Sequence, residues 1–493
     1  MREKEKKIRL ELESQAAAAG GDVMMGRLPG TSRKAILYVL RELGRRAGAT
    51  AEWIARWRAH FEDRSVTLYP RPDSNVRIVF PFDPSKPARA AQLLDAAPSH
   101  LTWMHLPDNP DLASIPGFCV FFDDRAESGV PLFMAVDSEV VACRADILTS
   151  ALWTLARLEE SISGASDEHG RFPAAASVAF RARCLDRPVV DEYAMALQQA
   201  LLFLLPGWTP EPPQLILKLS HDIDLVGLPR RIRSMAGHLY PRWAPRSCAR
   251  DVLSALGIGL PAYLQAVFEL ARISRQRGFD SAFYWKASGP TGWDSGYPLN
   301  HPKVLAVIEE LRSQGIEMGV HPAYDTFGSE DRLQRELERL RSALGSGPLG
   351  GRQHFLRWRP ATWRAWERAG LAYDSSVGFA DSIGFRAGTA IPYHPWLMEE
   401  DRESALLEIP LLVMDCTPIQ YMGLDAAETV GRVAGLVRRC QPAGGVFTLL
   451  WHNSSVLEPP YAKLYPEILR LFQPRPHYDW RAGLAIPALP REQ

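Results

Sequence analysis

The sequence has few cysteines, no excess of charge of either sign and no long apolar run. Its six cysteines form no CxxC pair, so neither a zinc ribbon nor a disulfide framework is indicated. Lys and Arg number 57, as do Asp and Glu, which argues against a protein that mainly binds nucleic-acid phosphates. Apolar segments such as Ala200 to Leu205 are far shorter than the roughly 20 residues of a membrane helix. The charged N-terminal residues lack the apolar core of a signal peptide, so we expect a cytoplasmic protein.

The composition is that of an ordinary globular protein, with 46% hydrophobic and 23% charged residues. A chain of 493 residues is too long for one ordinary core. Residues 1–30 read as a flexible charged tail, and the proline-rich stretch 206–213 reads as a linker. We therefore predict a mixed α/β N-terminal domain at residues 31–208 and a second domain at residues 209–493.

The second domain opens on a buried-strand pattern that ends in polar residues. Residues 215–224 read LILKLSHDID, an apolar run that leads into His221, Asp222 and Asp224. Ligands collect at the carboxyl ends of parallel strands, and strand alternation points Asp222 and Asp224 to one side. The alternative is a surface pair of aspartates that caps the following turn.

Further predicted strands alternate with helices and also end in His or Asp. The polar residues at these strand ends are His321, Asp325, His354, Asp415 and His452. A single buried histidine is more often a core residue than a ligand, but a barrel assembles a site from several strand ends. The joint placement therefore predicts a barrel-like α/β enzyme.

Two other segments can be interpreted as functional or as purely structural. Residues 167–173 form a polar loop that is either functional or a connector whose side chains pair with one another. A basic helical insertion is predicted at about residues 228–277. Its arginine-rich run at residues 228–250 is either a solvated face or a binding surface for an anionic lipid or a sugar-linked diphosphate.

Five motifs in order resemble those of the polysaccharide deacetylase family, the NodB-like carbohydrate esterases, over roughly residues 210–460. They are Ser220-His221-Asp222-Ile223-Asp224, residues 315–321 ending in His321, Arg352-Gln353-His354-Phe355, residues 408–415 ending in Asp415, and residues 449–452 ending in His452. Residues 167–172, 352–357 and 378–388 further resemble a bacterial subgroup with an extra N-terminal domain, associated with surface-polysaccharide synthesis.

The resemblance implies a fold and a role for each site residue. The fold is α/β, a deformed (β/α) barrel of polysaccharide-deacetylase type preceded by a mixed α/β N-terminal domain. Asp222 would be the general base and Arg352 would orient it. Asp224 and His321 would bind a metal. His452 would be the general acid, oriented by Asp415.

The chain departs from the family pattern at two positions. Asp325 stands where the family has a second metal-binding histidine, and His354 stands where the family has proline. A catalytic zinc site needs three protein ligands and an open position. We expect His354 to be the third ligand, because imidazole suits zinc, and Asp325 is the alternative.

The resemblance implies a metal-dependent carbohydrate deacetylase, with zinc as the preferred divalent ion. Its partner would be an amino-sugar-containing glycan or glycan precursor, and the arginine-rich insertion offers a contact to the inner membrane or to a lipid-linked sugar. Two other functions remain open. One is a catalytically degenerate carbohydrate-binding or assembly protein, and the other is a metal-dependent esterase acting on another acyl group.

Overall fold

A computed structural model describes residues 31–95, 102–104, 118–123, 130–227, 259–294, 296–345, 347, 349–474 and 491–492. The predicted tail at residues 1–30 and the arginine-rich run at residues 228–250 lie outside the described residues. Helices and strands mix along the described residues, which confirms the α/β class.

The helices share amphipathic sequences whose apolar sides are buried. They are α1 (Arg33–Arg46), α2 (Ala51–Ile54), α3 (Ala90–Asp95), α4 (Ile147–Leu155), α5 (Leu158–Ile162), α6 (Val178–Arg181), α7 (Val189–Leu204), α8 (Ala262–Gln276), α9 (Pro302–Ser313), α10 (Glu330–Leu344), α11 (Pro360–Arg368), α12 (Ala426–Cys440) and α13 (Tyr461–Leu469). Within the described ranges, none has the length and apolar character needed to cross a bilayer.

The strands are short and belong mainly to two sheets. They are β1 (Arg58–Phe61), β2 (Ser65–Tyr69), β3 (Arg77–Pro81), β4 (Thr102–Met104), β5 (Phe118–Val120), β6 (Phe133–Ala135), β7 (Val140–Cys143), β8 (Leu215–Asp222), β9 (Ser281–Trp285), β10 (Glu317–Val320), β11 (Tyr373–Asp374), β12 (Trp396–Leu397), β13 (Arg402–Glu403), β14 (Leu407–Glu408), β15 (Val413–Met414), β16 (Gly445–Leu450) and β17 (Arg491–Glu492).

The first sheet has the order β17-β1-β2-β3-β7-β6 and mixes parallel and antiparallel pairs. Helix α1 packs against α4 and α7. Helix α1 begins after Ser32, whose side chain accepts a hydrogen bond from the amide of Ala35.

The second sheet is parallel throughout, with the order β10-β9-β8-β16-β15. Single-residue bridges at Gly351 link β10 to β11, and β11 pairs with β14. These pairings form an arc of parallel strands. No ladder between β14 and β15 is present among the described residues, so the closed barrel stays a prediction.

The strand pattern places all carboxyl ends of the second sheet at one edge. All five residues of β9 are buried, as expected for an interior parallel strand. Helix α9 ends before Gly315, which has a φ of +71° and turns the chain back towards β10. The edge formed by the carboxyl ends therefore gathers polar residues from segments that are far apart in sequence.

Three predicted elements differ in detail. The apolar pattern of residues 147–158 predicts one helix, but the structure divides it into α4 and α5, because Arg157 has a left-handed φ of +52°. The apolar run at residues 406–413 predicts one strand, but the structure has two short strands, β14 and β15, on either side of Pro410, which has no N–H for a ladder. Helix α13 was not predicted, since Pro466 interrupts its pattern.

The N-terminal and C-terminal parts share buried polar contacts. Asp191 of α7 accepts hydrogen bonds from the Thr389 hydroxyl and from the Ala390 amide at 3.0 Å, and it pairs with Arg46 at 3.2 Å. One hydrophobic core cluster includes residues of both parts, such as Leu197 and Leu219. The segment between α7 and β8 contains no helix or strand, and the domain boundary near residue 208 stays a prediction.

Candidate active site

The candidate base, Asp222, is the last residue of β8 and is almost fully buried. Its Oδ1 accepts a hydrogen bond from Arg352 Nη1 at 2.9 Å. The guanidinium of Arg352 is itself fixed, because Nη2 donates to the hydroxyls of Ser220 at 2.9 Å and Ser375 at 3.1 Å. Arg352 therefore orients the Asp222 carboxylate and neutralises its charge.

The preceding residue, Gly351, allows Arg352 to reach Asp222. A Cβ on Gly351 would lie 1.9 Å from the carbonyl oxygen of Val320, which is closer than any real side chain can approach. Only glycine allows the chain to bridge β10 and β11 at this point. The guanidinium then points across the strand ends towards β8.

Three of the predicted residues offer one donor atom each within 4.8 Å of one another: Asp224, His321 and His354. The Nε2 atoms of His321 and His354 lie 3.3 and 3.4 Å from Asp224 Oδ1. Asp224 lies just after β8, His321 lies just after β10, and His354 lies in the turn that follows the Gly351 bridge.

In both neutral rings the contact at Nδ1 leaves the lone pair on Nε2, the nitrogen that faces Asp224. His321 Nε2 is available as a ligand, whereas His354 Nε2 also lies 2.9 Å from Lys286 Nζ. His321 Nδ1 lies 2.7 Å from the carbonyl oxygen of Arg352, which can only accept, so Nδ1 carries the proton. His354 Nδ1 lies 2.7 Å from the carboxylate of Asp294. Burial lowers the pKa of His321 and favours its neutral form. Among the described residues His321 Nε2 is buried without a hydrogen-bond partner, so this donor set fits a divalent ion.

The backbone around His354 is unusual. Phe355 and Leu356 have φ values of +60° and +54°, in the left-handed region that side chains rarely adopt. This turn directs His354 inward and brings both following side chains to the pocket wall. The predicted strand or turn at residues 352–357 is therefore a tight turn, and its strain lies at the candidate site.

Asp325, the alternative third ligand, lies apart from this donor set. Its side chain is 47% exposed and pairs with Arg332 at 3.6 Å. It belongs to a short 3-10 turn at Tyr324–Thr326 that directs the carboxylate to the surface. The structure therefore groups His354, and not Asp325, with Asp224 and His321.

His452 and Asp415 form a buried pair at the ends of β16 and β15. Asp415 Oδ1 accepts from His452 Nδ1 at 2.8 Å, and Asp415 Oδ2 accepts from the His452 amide at 2.7 Å. Burial alone would lower the pKa of His452, but the Asp415 carboxylate outweighs it and raises that pKa to about 9. His452 is therefore an imidazolium at neutral pH and can donate a proton.

These side chains surround one cavity of about 150 Å³. The polar lining residues are Arg171, Asp222, Asp224, His321, His354, Tyr421 and His452, and the remaining lining residues are Phe355, Leu356, Met414, Cys416 and Leu450. A tryptophan near a sugar site can stack on the sugar or pack in the core, and Trp285, Trp358 and Trp451 are fully buried and belong to the core.

The loop at residues 167–173 reaches the cavity through Arg171. Arg171 pairs with Asp167 at 2.6 Å, as in the connector interpretation, yet Arg171 also lines the cavity. Its Nη1 donates to the carbonyl oxygen of Phe355 at 3.3 Å. The N-terminal part of the chain thus contributes a cationic side chain to the pocket.

Sequence reasoning missed two residues of this site. Lys286 follows β9 directly and extends its Nζ to Asp224 Oδ1 and Asp294 Oδ1, each at 2.7 Å. Asp294 lies on the loop after β9 and also accepts from the amide of Tyr324 at 2.7 Å. The position of Lys286 at a strand end was a usable signal. Asp294 lies in irregular backbone and carries no such signal.

Comparisons with known proteins give a partial match. Residues 100–206 match a family model described as a family of unknown function, DUF7033. No curated protein matches the chain.

Several solved structures are similar. A candidate polysaccharide deacetylase from Mycobacterium smegmatis is 16% identical with a TM-score of 0.38, covering 54% of this chain and 86% of that one. A candidate polysaccharide deacetylase involved in O-antigen biosynthesis, from Bordetella bronchiseptica, is 15% identical with a TM-score of 0.27, covering 54% and 88%. Puue allantoinase is 14% identical with a TM-score of 0.37, covering 56% and 92%. Polysaccharide deacetylases are thus among the solved structures to which this chain is similar.

Proposed function

We propose that the protein is a metal-dependent hydrolase that removes N-acetyl groups from an amino sugar in a polysaccharide or its precursor. The observation that carries the proposal is the convergence of three functional units on one cavity. These units are the Arg352–Asp222 pair, the donor set Asp224, His321 and His354, and the Asp415–His452 pair.

Each unit supplies a part of amide hydrolysis. A divalent ion held by the donor set would polarise the acyl carbonyl and acidify the attacking water. Asp222, held in place by Arg352, accepts the proton of that water. His452 donates its Nε2 proton to the leaving amine. Asp415 keeps the imidazole oriented and charged until that transfer.

The cavity suits a small acyl group. Leu356, Met414 and Leu450 form its apolar wall, and its volume of about 150 Å³ can take an acetyl group while the sugar stays at the mouth. Arg171 and Tyr421 lie in the same lining, and Tyr421 is 46% exposed. We place the sugar beside these two residues.

The proposed setting is surface-polysaccharide synthesis in the cytoplasm, with a contact to the inner membrane through the arginine-rich run. That run lies outside the described residues, so the resemblance and the sequence alone support this part of the proposal.

One observation favours a non-catalytic carbohydrate-binding protein as a second candidate. The ammonium of Lys286 contacts two members of the donor set, Asp224 and His354. If that cation excluded metal permanently, the cavity would bind a sugar without cleaving it.

A variant pair tests the proposal. Acetate release from N-acetylated amino-sugar oligosaccharides, assayed with zinc, should fall by about 100-fold or more in Asp222→Asn. Asp325→Asn is the matched control, because this exposed carboxylate lies outside the donor set. Equal loss in both variants, or no loss in Asp222→Asn, would contradict the assignment. Release from O-acetylated but not N-acetylated substrates would instead identify an esterase.

A further inference from the structure

The ammonium group of Lys286 lies against the donor set formed by Asp224, His321 and His354. Its side chain is only 2% exposed, and its Nζ is 2.7 Å from Asp224 Oδ1 and 2.9 Å from His354 Nε2. A third contact, also 2.7 Å long, joins Nζ to Asp294 Oδ1. The ammonium therefore touches two of the three side chains that would bind a metal.

The contact with His354 uses the lone pair that a metal would need. His354 Nδ1 lies 2.7 Å from the carboxylate of Asp294, which can only accept, so the neutral ring has its proton on Nδ1 and its lone pair on Nε2. An ammonium carries three protons and has no lone pair, so Lys286 must be the donor in this contact. One ring nitrogen cannot accept the lysine proton and bind an ion at the same time.

Electrostatic repulsion also prevents the ammonium and a divalent ion from occupying the donor set together. The ammonium lies between Asp224 and Asp294 and offsets one of their two negative charges. A divalent ion bound beside an ammonium at hydrogen-bond distance would be strongly repelled. Lysine and ion are thus alternative occupants of this position.

We propose that Lys286 is an internal cation that fills the donor set in the metal-free protein and withdraws from Asp224 and His354 when the ion binds. This inference rests on the proposed metal site. Asp294 is the residue that retains the displaced ammonium, since Nζ already contacts its Oδ1. The lysine consequently stabilises the empty site and lowers its apparent affinity for metal.

The first test is the zinc dissociation constant of Lys286→Met, measured by competition with a chromophoric chelator at fixed pH. Methionine keeps much of the side-chain volume and removes the charge. Zinc should bind about 10- to 100-fold tighter, the range over which contacts to metal ligands control affinity. Lys218→Met is the matched control, because Lys218 is also buried in this sheet but pairs with Glu317 at 3.0 Å.

The outcomes separate this inference from the proposed function. If wild type binds zinc and Lys286→Met binds it no more tightly, the inference is overturned and the metal site stands. If only Lys286→Met binds zinc, the inference is upheld and metal dependence of the natural protein fails. If neither binds, both are overturned.

A second measurement needs no variant. Crystal structures of wild-type protein with and without zinc should differ in the contact between Lys286 Nζ and His354 Nε2. We expect this contact to be present without zinc and broken with it. Retention of the contact beside a bound zinc ion would overturn the inference even if Lys286→Met does not fold.

Discussion

Asp415 holds His452 at two points, accepting a hydrogen bond from the ring at 2.8 Å and from the backbone amide at 2.7 Å. Two bonds fix both the position of the residue and the rotation of its ring. The same carboxylate raises the pKa of His452 to about 9 against the opposing effect of burial. Asp415 therefore orients the candidate acid and makes the largest contribution to its protonation, to which the carboxylates of Asp224 and Asp222 add.

This dependence predicts the alkaline pH limit of activity. His452 must be protonated to act as the acid, so kcat/KM should fall as pH rises through about 9. Asp415→Asn removes the negative charge and should move this limit to lower pH. A pH–rate profile of both proteins checks the shift. An unchanged limit in Asp415→Asn would show that another group sets it.

The stabilisation that the Asp415–His452 pair gives to the folded protein should also decrease as pH rises. A group whose pKa is raised on folding stabilises the protein fully below its unfolded pKa of about 6.5, and this contribution is lost as pH rises to about 9. The destabilisation caused by Asp415→Asn should therefore be larger at pH 6 than at pH 10. Urea unfolding at both pH values measures the difference, and equal losses would contradict the assigned pKa.

Arg352→Met should destabilise the fold strongly. The guanidinium is fully buried, and its removal leaves the Asp222 carboxylate without its charge partner. Breaking a buried ion pair on one side costs about 3–5 kcal/mol. Arg332→Met is the control, because its pair with Asp325 is about half exposed and should contribute at most about 1 kcal/mol. Urea unfolding that gave equal losses for both would refute the assigned role of Arg352.

Asp294→Ala should weaken zinc binding by about 10- to 100-fold. This is the usual loss when a metal-binding histidine loses the carboxylate that orients its ring. Two effects act in the same direction. His354 loses the acceptor that orients its ring, and Lys286 loses the carboxylate that would retain it away from Asp224. Isothermal titration with zinc measures the change, with Asp325→Ala expected to match wild type. Full affinity in Asp294→Ala would remove Asp294 from the site.

Gly351→Ala should destabilise the protein by about 1–3 kcal/mol or more, because the added methyl group would overlap the Val320 carbonyl. The backbone must shift, and Arg352 moves with it, so activity should fall as well. Gly347→Ala is the matched control, since nothing lies within 4 Å of its added Cβ. Thermal unfolding that ranked Gly347→Ala as the more damaging change would contradict the described bridge.

The sequence was most informative where strands are regular. Asp222, His321 and His452 could be placed at one edge because the apolar strands before them must be parallel and buried. The structure also brings Asp415 to His452 and Arg352 to Asp222, the two pairs that the family resemblance implies, while the roles of these residues stay predictions.

It was least informative where irregular backbone decides the direction of a side chain. Asp325 follows His321 by four residues, and only the turn at Tyr324–Thr326 directs it outward. Left-handed residues at Phe355 and Leu356 place His354, and nothing in their side chains predicts such a backbone. The position of Lys286 after a strand indicated a place at this edge, but its contacts could not be predicted, because the irregular loop after β9 brings Asp294 to it.

The most direct test of the proposed function is acetate release by protein stripped of metal with a chelator and then titrated with zinc. N-acetylated amino-sugar oligosaccharides are the substrate, and His321→Ala is assayed in parallel. We predict that acetate release by the wild-type protein returns as about one zinc ion binds per chain, while His321→Ala stays inactive. Release by the stripped protein, or none from wild type carrying bound zinc, would contradict a metal-dependent deacetylase.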